Sequence, residues 1–463
     1  MTEQLKLKLN DSKATRWGAL VIVAFTMMAA YYVNDVVAPL KTMLETDLAW
    51  SSTDFGFFTG GYSFLNVFFL MLIWGGLILD RFGIRFTGKL ATILMVGGTA
   101  LEYYAMTGLA GADATLFGIN EIFGYKTGVF VAFAGYSIFG VGAEVAGITV
   151  SKIIAKWFKG KELATAMGVQ VALARIGSQA GYAVAIPLAR AFGISTPVLL
   201  GLVLLLGGMI AFFIFAVMDK KLDKQMEAAA IAAGTEDEEE KFSFKDVKNI
   251  LVNSGFWLIA LLCVLFYSCV FPFQKFASEL MIIKYGINEN VAGTFAGLPA
   301  LGALILTPVF GGFIDKRGKS ASIMLLGSAM LICVHFIYAI PDINYWLVAI
   351  VLMIILGIAF SLVPSAMWPA VAKIFPVSQL GTAYALIFFI QNIGLWGIPT
   401  LIGWVLDAYC ISGKKPDGTN MYDYTVPMCI FTGIACLSLI VALLLKKADK
   451  KYGYKLEEPN IQK

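Results

Sequence analysis

The sequence predicts an all-α membrane protein of twelve transmembrane helices in two six-helix halves, with both termini cytoplasmic. Three observations carry this. Of 463 residues, 59% are hydrophobic and only 14% are Asp, Glu, Lys or Arg, where a soluble domain has about 25% charged residues. The apolar residues form continuous runs long enough to cross a bilayer, which takes about 20 residues. The basic residues lie almost entirely on one side of those runs. This composition excludes a soluble enzyme, a disordered chain and a coiled coil. Six cysteines without a Cys-x-x-Cys spacing exclude a secreted disulfide scaffold.

Residues 1–16 are polar and read as a cytoplasmic tail, with no cleavable signal ahead of the first span. Apolar runs follow at 17–40, 55–79, 86–108, 128–155, 162–189 and 194–218, making a first bundle over 17–218. Residues 219–250 form a charged linker with an acidic run, Glu236-Asp237-Glu238-Glu239-Glu240. Six more runs, at 255–283, 291–314, 320–340, 345–372, 379–406 and 425–445, make a second bundle over 251–446, and 447–463 is a second cytoplasmic tail. A β-barrel would instead alternate over segments of about 10 residues. With this threading, 27 Lys/Arg lie on the side of both termini, 6 on the opposite side and 2 inside spans. The positive-inside rule therefore puts the termini in the cytoplasm, and the net charge of +4 reports topology, with no nucleic-acid partner implied. A monomer in the lipid bilayer is expected.

The halves repeat a motif. Gly76-Leu77-Ile78-Leu79-Asp80-Arg81-Phe82-Gly83-Ile84-Arg85 lies between spans 2 and 3, and Gly311-Gly312-Phe313-Ile314-Asp315-Lys316-Arg317-Gly318-Lys319 between spans 8 and 9. Both read Gly-x-x-x-Asp-(Arg/Lys)-x-Gly. A small glycine lets helices approach closely, and the Asp can cap a helix or meet a base. Leu163-Ala164-Thr165-Ala166-Met167-Gly168 opens span 5 as Leu380-Gly381-Thr382-Ala383-Tyr384-Ala385 opens span 11. Parallel six-helix repeats with these turns resemble the major facilitator superfamily. The resemblance implies alternating access, with Gly76, Asp80, Arg81, Gly83, Arg85, Gly311, Asp315, Lys316 and Gly318 as a gating latch away from substrate.

A closer similarity lies in spans 10–11. Ala366-Met367-Trp368-Pro369-Ala370-Val371, Gln379-Leu380-Gly381-Thr382-Ala383-Tyr384 and Gln391-Asn392-Ile393-Gly394-Leu395 are similar to the lysosomal dipeptide-uniporter branch of that superfamily. The resemblance implies a facilitative carrier of dipeptides or similar zwitterions. Neither tail shows an acidic-dileucine sorting signal, so a bacterial plasma membrane is expected before a lysosomal one.

Charges inside spans are costly and each needs a reason. Glu144 lies 12 residues before Lys156 and Arg175 lies 12 residues after Leu163. At 1.5 Å per residue both sit about 18 Å from the turn joining their helices. They are either a buried ion pair or two charges set apart to hold a zwitterion. Arg175 would grip a carboxylate with its planar fork and Glu144 would receive an ammonium. The uniporter resemblance implies the second role. The repeat offset of 217 residues places Ser361 and Asn392 opposite them, so the repeat alone does not demand the charges.

Tyr31, Tyr136, Tyr267, Gln274, Trp368 and Asn392 are further candidates for lining a cavity, or for packing. Asp35 reads as a helix-end cap or a proton-coupling site. Glu102 reads as reaching the interface or pairing with a neighbour, with proton coupling as the alternative. Lys275 and Glu279, four apart, read as a local pair or part of an outer gate. His335 is not expected to relay protons. No Walker loop, metal-ligand cluster or Ser-His-Asp set is present, so no cofactor and no enzymatic activity are expected. The alternatives to a uniporter are a proton-coupled symporter of organic anions and a nutrient sensor with a transporter fold.

Overall fold

The computed structural model describes residues 8–111, 114–158, 161–233 and 244–459. The acidic run at 236–240 lies outside them. Among the described residues fifteen helices follow in order: α1 (Lys13–Val36), α2 (Lys41–Leu48), α3 (Ser52–Phe68), α4 (Met71–Thr107), α5 (Thr127–Trp157), α6 (Leu163–Phe192), α7 (Thr196–Ala233), α8 (Phe244–Val252), α9 (Ser254–Tyr285), α10 (Glu289–Ala296), α11 (Leu298–Arg317), α12 (Ser320–Ala339), α13 (Trp346–Ile374), α14 (Val377–Tyr409) and α15 (Thr425–Tyr452). Two small hairpins, β1 (Glu121–Ile122) with β2 (Tyr125–Lys126) and β3 (Ile411–Lys414) with β4 (Asn420–Tyr422), join helices on the face opposite the termini.

Among the described residues, nine helices are long and apolar enough to cross a membrane, or up to ten with the α3–α4 pair, bent by 58°, counted as one span. The difference from twelve has two local causes. Gly83 is non-helical inside α4, with φ +74°, so expected spans 2 and 3 share one helix broken at that residue. In α6, Gln170, Arg175, Ser178 and Gln179 dilute an otherwise apolar run. The linker is partly helical, since α7 runs to Ala233 and α8 begins at Phe244.

Helix packing uses missing side chains. A Cβ on Gly135 would stand 2.6 Å from the Gly98 carbonyl oxygen, and one on Gly142 2.7 Å from that of Ala91, so α4 and α5 cross backbone to backbone. In the second half α11 and α13 meet the same way at Gly302 and Gly357.

At the repeated turns the glycines act differently from the expectation. A Cβ on Gly76 or Gly311 would meet nothing within 4 Å, so neither provides a close approach. It is the last glycine of each motif that the fold requires, Gly83 at φ +74° and Gly318 at φ +69°, where a side chain is strained. Asp80 pairs with Lys152 at 3.0 Å. Arg85 reaches Asp219 at 3.1 Å and also Asp223. Buried Asp219 further accepts from Lys156 at 2.7 Å and the Trp157 indole at 2.9 Å. The turn of the second half is held by the C-terminal segment: the amides of Lys319 and Ser320 donate to the carbonyls of Glu457 and Leu456 at 3.1 and 3.0 Å. The Ser322 amide donates to the Glu457 carboxylate at 2.8 Å. In the N-terminal tail, the Lys161 ammonium at 2.8 Å holds the Asp11 carboxyl below the usual carboxylate range.

The halves meet where α3 crosses α14. A Cβ on Gly403 would stand 2.9 Å from Gly56 Cα and collide with the Ser52 carbonyl, and one on Gly60 would stand 2.7 Å from the Trp396 carbonyl oxygen. All three glycines lie toward the face opposite the termini, near the start of α3 and the end of α14. By contrast, Gly168 and Gly381, at the terminal-face ends of α6 and α14, have open space around them. Gly403→Ala is therefore expected to wedge the opposite face apart while each half stays folded. The measurement is labelling of a cysteine placed at Ser52 by a membrane-impermeant reagent, which should accelerate. An unchanged rate would show that the crossing tolerates the added methyl group.

Candidate functional site

Two polar groups are built on these helices. The first is central. Glu144, at mid-length in α5, accepts a hydrogen bond from the Tyr62 hydroxyl of α3 at 3.0 Å. Arg175, twelve residues into α6, stands over the rings of Tyr31 and Phe360, with its guanidinium carbon 5.6 and 4.8 Å from their centroids. Glu144 and Arg175 form no ion pair with each other, and among the described residues the Arg175 guanidinium makes no hydrogen bond. Tyr31 lies within electrostatic reach of Arg175, Glu144 and Asp35, so it joins the two ends. The site straddles the halves, because Tyr31 and Arg175 belong to the first and Phe360 to the second.

Tyr267 and Trp368 extend this group. Tyr267 is within electrostatic reach of Arg175, Tyr31 and Trp368. Its ring stacks on Phe271 at 5.4 Å, and Trp368 stacks on Phe388 at 4.8 Å. Buried Asn392 donates to its own helix at the Phe388 carbonyl, 2.9 Å away, and its side-chain oxygen has no partner.

The second group lies nearer the face opposite the termini and joins the halves through charge. Lys275 of α9 pairs with Asp35 of α1 at 3.1 Å and donates to the Asn34 carbonyl at 2.6 Å. The other Asp35 oxygen accepts from Ser178 at 2.6 Å. One layer further out, Lys41 lies 2.5 Å from both Glu45 and Glu279, and Lys415 reaches the same two carboxylates at 3.4 and 3.5 Å. Tyr424 donates to Glu279 as well. Only 1% of Lys41 and 1% of Glu279 is exposed, so the centre of the cluster is dry, and Lys415 closes it from a half-buried position.

Several expectations are corrected by this arrangement. Lys275 and Glu279 do not pair with each other. Each takes a partner from the first half, because α9 turns that face toward α1 and α2. Asp35 is an inter-half ion-pair partner rather than a helix-end cap. Tyr136 belongs to this second group, its hydroxyl donating to the Asn34 carbonyl at 2.8 Å, and Gln274 donates to the Ala296 carbonyl at 3.4 Å. Neither is gathered around Arg175. Glu102 does not reach the interface, being 0% exposed, and among the described residues both its carboxylate oxygens lack a partner. His335 is buried, its Nε2 3.0 Å from the Cys269 carbonyl.

Sequence reasoning did not single out Tyr62, Phe360, Asn66, Ser178, Lys41, Glu45 or Lys415. Asn66 lies one turn after Tyr62 on the same face of α3, buried, with both amide atoms unpartnered among the described residues. An amide inside an apolar run was the available signal.

Comparison with known proteins shows the family and the fold. The family model of the Major Facilitator Superfamily matches residues 20–399 and 276–458. The human protein named lysosomal dipeptide transporter MFSD1 is 29% identical over 454 residues, covering 95% of this chain and 88% of the relative. The Gallus gallus protein of that name is 33% identical over 287 residues, covering 59% and 62%. Among solved structures, a point mutant of the nucleoside transporter NupG superposes with a TM-score of 0.68 at 12% identity, covering 92% of this chain and 98% of that one. The inward-open xylose transporter XylE of E. coli gives 0.64 at 15% identity, covering 93% and 96%. The chain is an integral, multi-pass transport protein and belongs to the Major Facilitator Superfamily.

Proposed function

We propose that this chain carries small zwitterions, dipeptides foremost, across its membrane by alternating access and down their own gradient. The observation that carries the reading is the Arg175 guanidinium, which makes no hydrogen bond among the described residues and stands over two rings, while Glu144 has a single hydroxyl donor there. A fork of donors with no acceptor fits a carboxylate, and a carboxylate with room on one oxygen fits an ammonium. Tyr267, within electrostatic reach of Arg175 and Tyr31, is read as lining the same cavity, with Trp368, Asn392 and the missed Asn66 as further candidates. The name of the relatives supports the same substrate class.

Uptake by the purified protein in vesicles tests this. Free dipeptides are expected to enter and N-acetylated ones to neither enter nor compete. Equal competition by capped and free peptides would remove Glu144 as the ammonium site. Binding without flux would instead make the protein a sensor.

One observation favours a second reading, proton-coupled symport. A buried carboxylate without a partner is costly unless it carries a proton, and Glu102 is within electrostatic reach of Lys275 and Tyr136. With Asp35 on the Lys275 pair, a proton path would run beside the inter-half contact. Substrate-dependent acidification of the vesicle interior, abolished in Glu102→Gln, would establish symport. Uptake with no proton movement keeps the uniport reading.

A further inference from the structure

The connection between α4 and α5 contains a small repeat that the transport reading does not use. Leu116-Phe117-Gly118-Ile119 is followed by Ile122-Phe123-Gly124-Tyr125. Each quartet closes as a two-residue turn. Leu116 and Ile119 exchange both backbone hydrogen bonds at 3.0 Å, and Ile122 pairs with Tyr125 between β1 and β2. The central residues have φ +53° and +79° in the first turn, +53° and +81° in the second. Two successive positive φ values mark the type I′ turn, whose first central position belongs to Asn, Asp or Gly.

Phenylalanine fills that position both times. A side chain in the left-handed region is strained, and Asn or Gly would avoid the strain. Internal packing does not explain the choice. Phe117 is 95% and Phe123 88% exposed, and they head the exposed large apolar side chains among the described residues. Phe117 makes no ring contact there, and Phe123 meets only Phe130, at 5.9 Å. Strain accepted twice, with the rings turned outward, points to something outside the chain.

Three observations identify it as the bilayer surface. The loop hangs between two membrane-crossing segments, and the last turns of α4 expose Leu101 and Tyr104, continuous with it. Asp113 and Glu121 are the only charged residues from 108 to 125. The connection at the same place in the second half, between α12 and α13, presents Tyr345 and Trp346 with 58% and 47% exposure. Tyr and Trp rings are enriched at membrane–water interfaces. We propose that Phe117 and Phe123 insert as paired prongs into the interfacial layer of the leaflet on that face, fixing the rim of the first half to the membrane. The second half would be fixed at the same level by Tyr345 and Trp346.

The test places p-benzoylphenylalanine at position 117 or 123 and reconstitutes the protein in vesicles of phosphatidylethanolamine and phosphatidylglycerol. After irradiation, mass spectrometry is expected to find lipid adducts at both positions, in yield within about threefold of a lipid-facing control at Ile210. Absence of lipid adducts, whether the probe meets only water or captures a protein in native membranes, overturns the proposal. The double variant Phe117→Asn/Phe123→Asn checks the backbone argument independently. Its melting temperature in detergent should hold or rise, because Asn suits the turn. A clear fall would show that the rings are structural parts of the fold, and would overturn the proposal as well.

Discussion

Arg175→Lys is expected to cut the uptake of every transported substrate by about 10- to 100-fold, with little change in melting temperature. The loss follows from shape, since the charge is kept. A guanidinium offers two parallel donors to one carboxylate and stands over the Tyr31 and Phe360 rings, whereas an ammonium is a point charge that stacks poorly. Hydrogen bonds to charged groups contribute about 1.5–3 kcal/mol, which sets the expected range. Stability should hold because Arg175 has no hydrogen bond or ion pair to the described residues that the change could break. Initial rates in vesicles, read beside thermal melting, check both halves of the statement. Near-normal uptake would sink the carboxylate role of Arg175.

Glu279→Gln should act on the closed face opposite the termini. Lys41 and Lys415 now share Glu279 and Glu45 in a cluster with a dry centre. Removing one carboxylate leaves buried Lys41 and half-buried Lys415 facing a single counter-charge. Breaking a buried pair in this way costs about 3–5 kcal/mol. The cost falls on the arrangement in which the halves touch, because Lys41 and Glu279 belong to different halves. The equilibrium should move toward opening by at least about 100-fold. Labelling of a cysteine at Ser52, buried at the α3–α14 crossing, is expected to accelerate accordingly. If it does not, the cluster is packing and holds nothing shut.

The fold was largely legible because the bilayer imposes one simple rule, apolar residues for a full crossing. The places where the rule gave the wrong boundary are places where one residue overrides a pattern, as Gly83 does inside α4. Glu144 and Arg175 stood out because charge inside an apolar run needs a reason. Tyr62 and Phe360 did not, because an aromatic ring at helical spacing looks the same whether it packs or binds. Lys275 and Glu279 were misleading for a physical reason: four-residue spacing favours a pair only when nothing better faces the helix, and here α1 and α2 offer Asp35 and Lys41. Gly76 and Gly311 were credited with close packing that belongs to Gly56, Gly98 and Gly403. No pattern distinguishes a glycine beside a backbone from one beside open space.

The hydrogen bonds from Lys319, Ser320 and Ser322 to the C-terminal segment set an order of assembly. In the first half the corresponding turn is fixed by Lys152, Lys156 and Asp219, all made before the second half exists. In the second half the partner Glu457 is synthesised 135 residues after Ser322. That turn therefore stays unfinished until those residues have been made, after the first-half turn is complete. An insertion machine that released the chain early would deliver a first half already locked and a second half still loose.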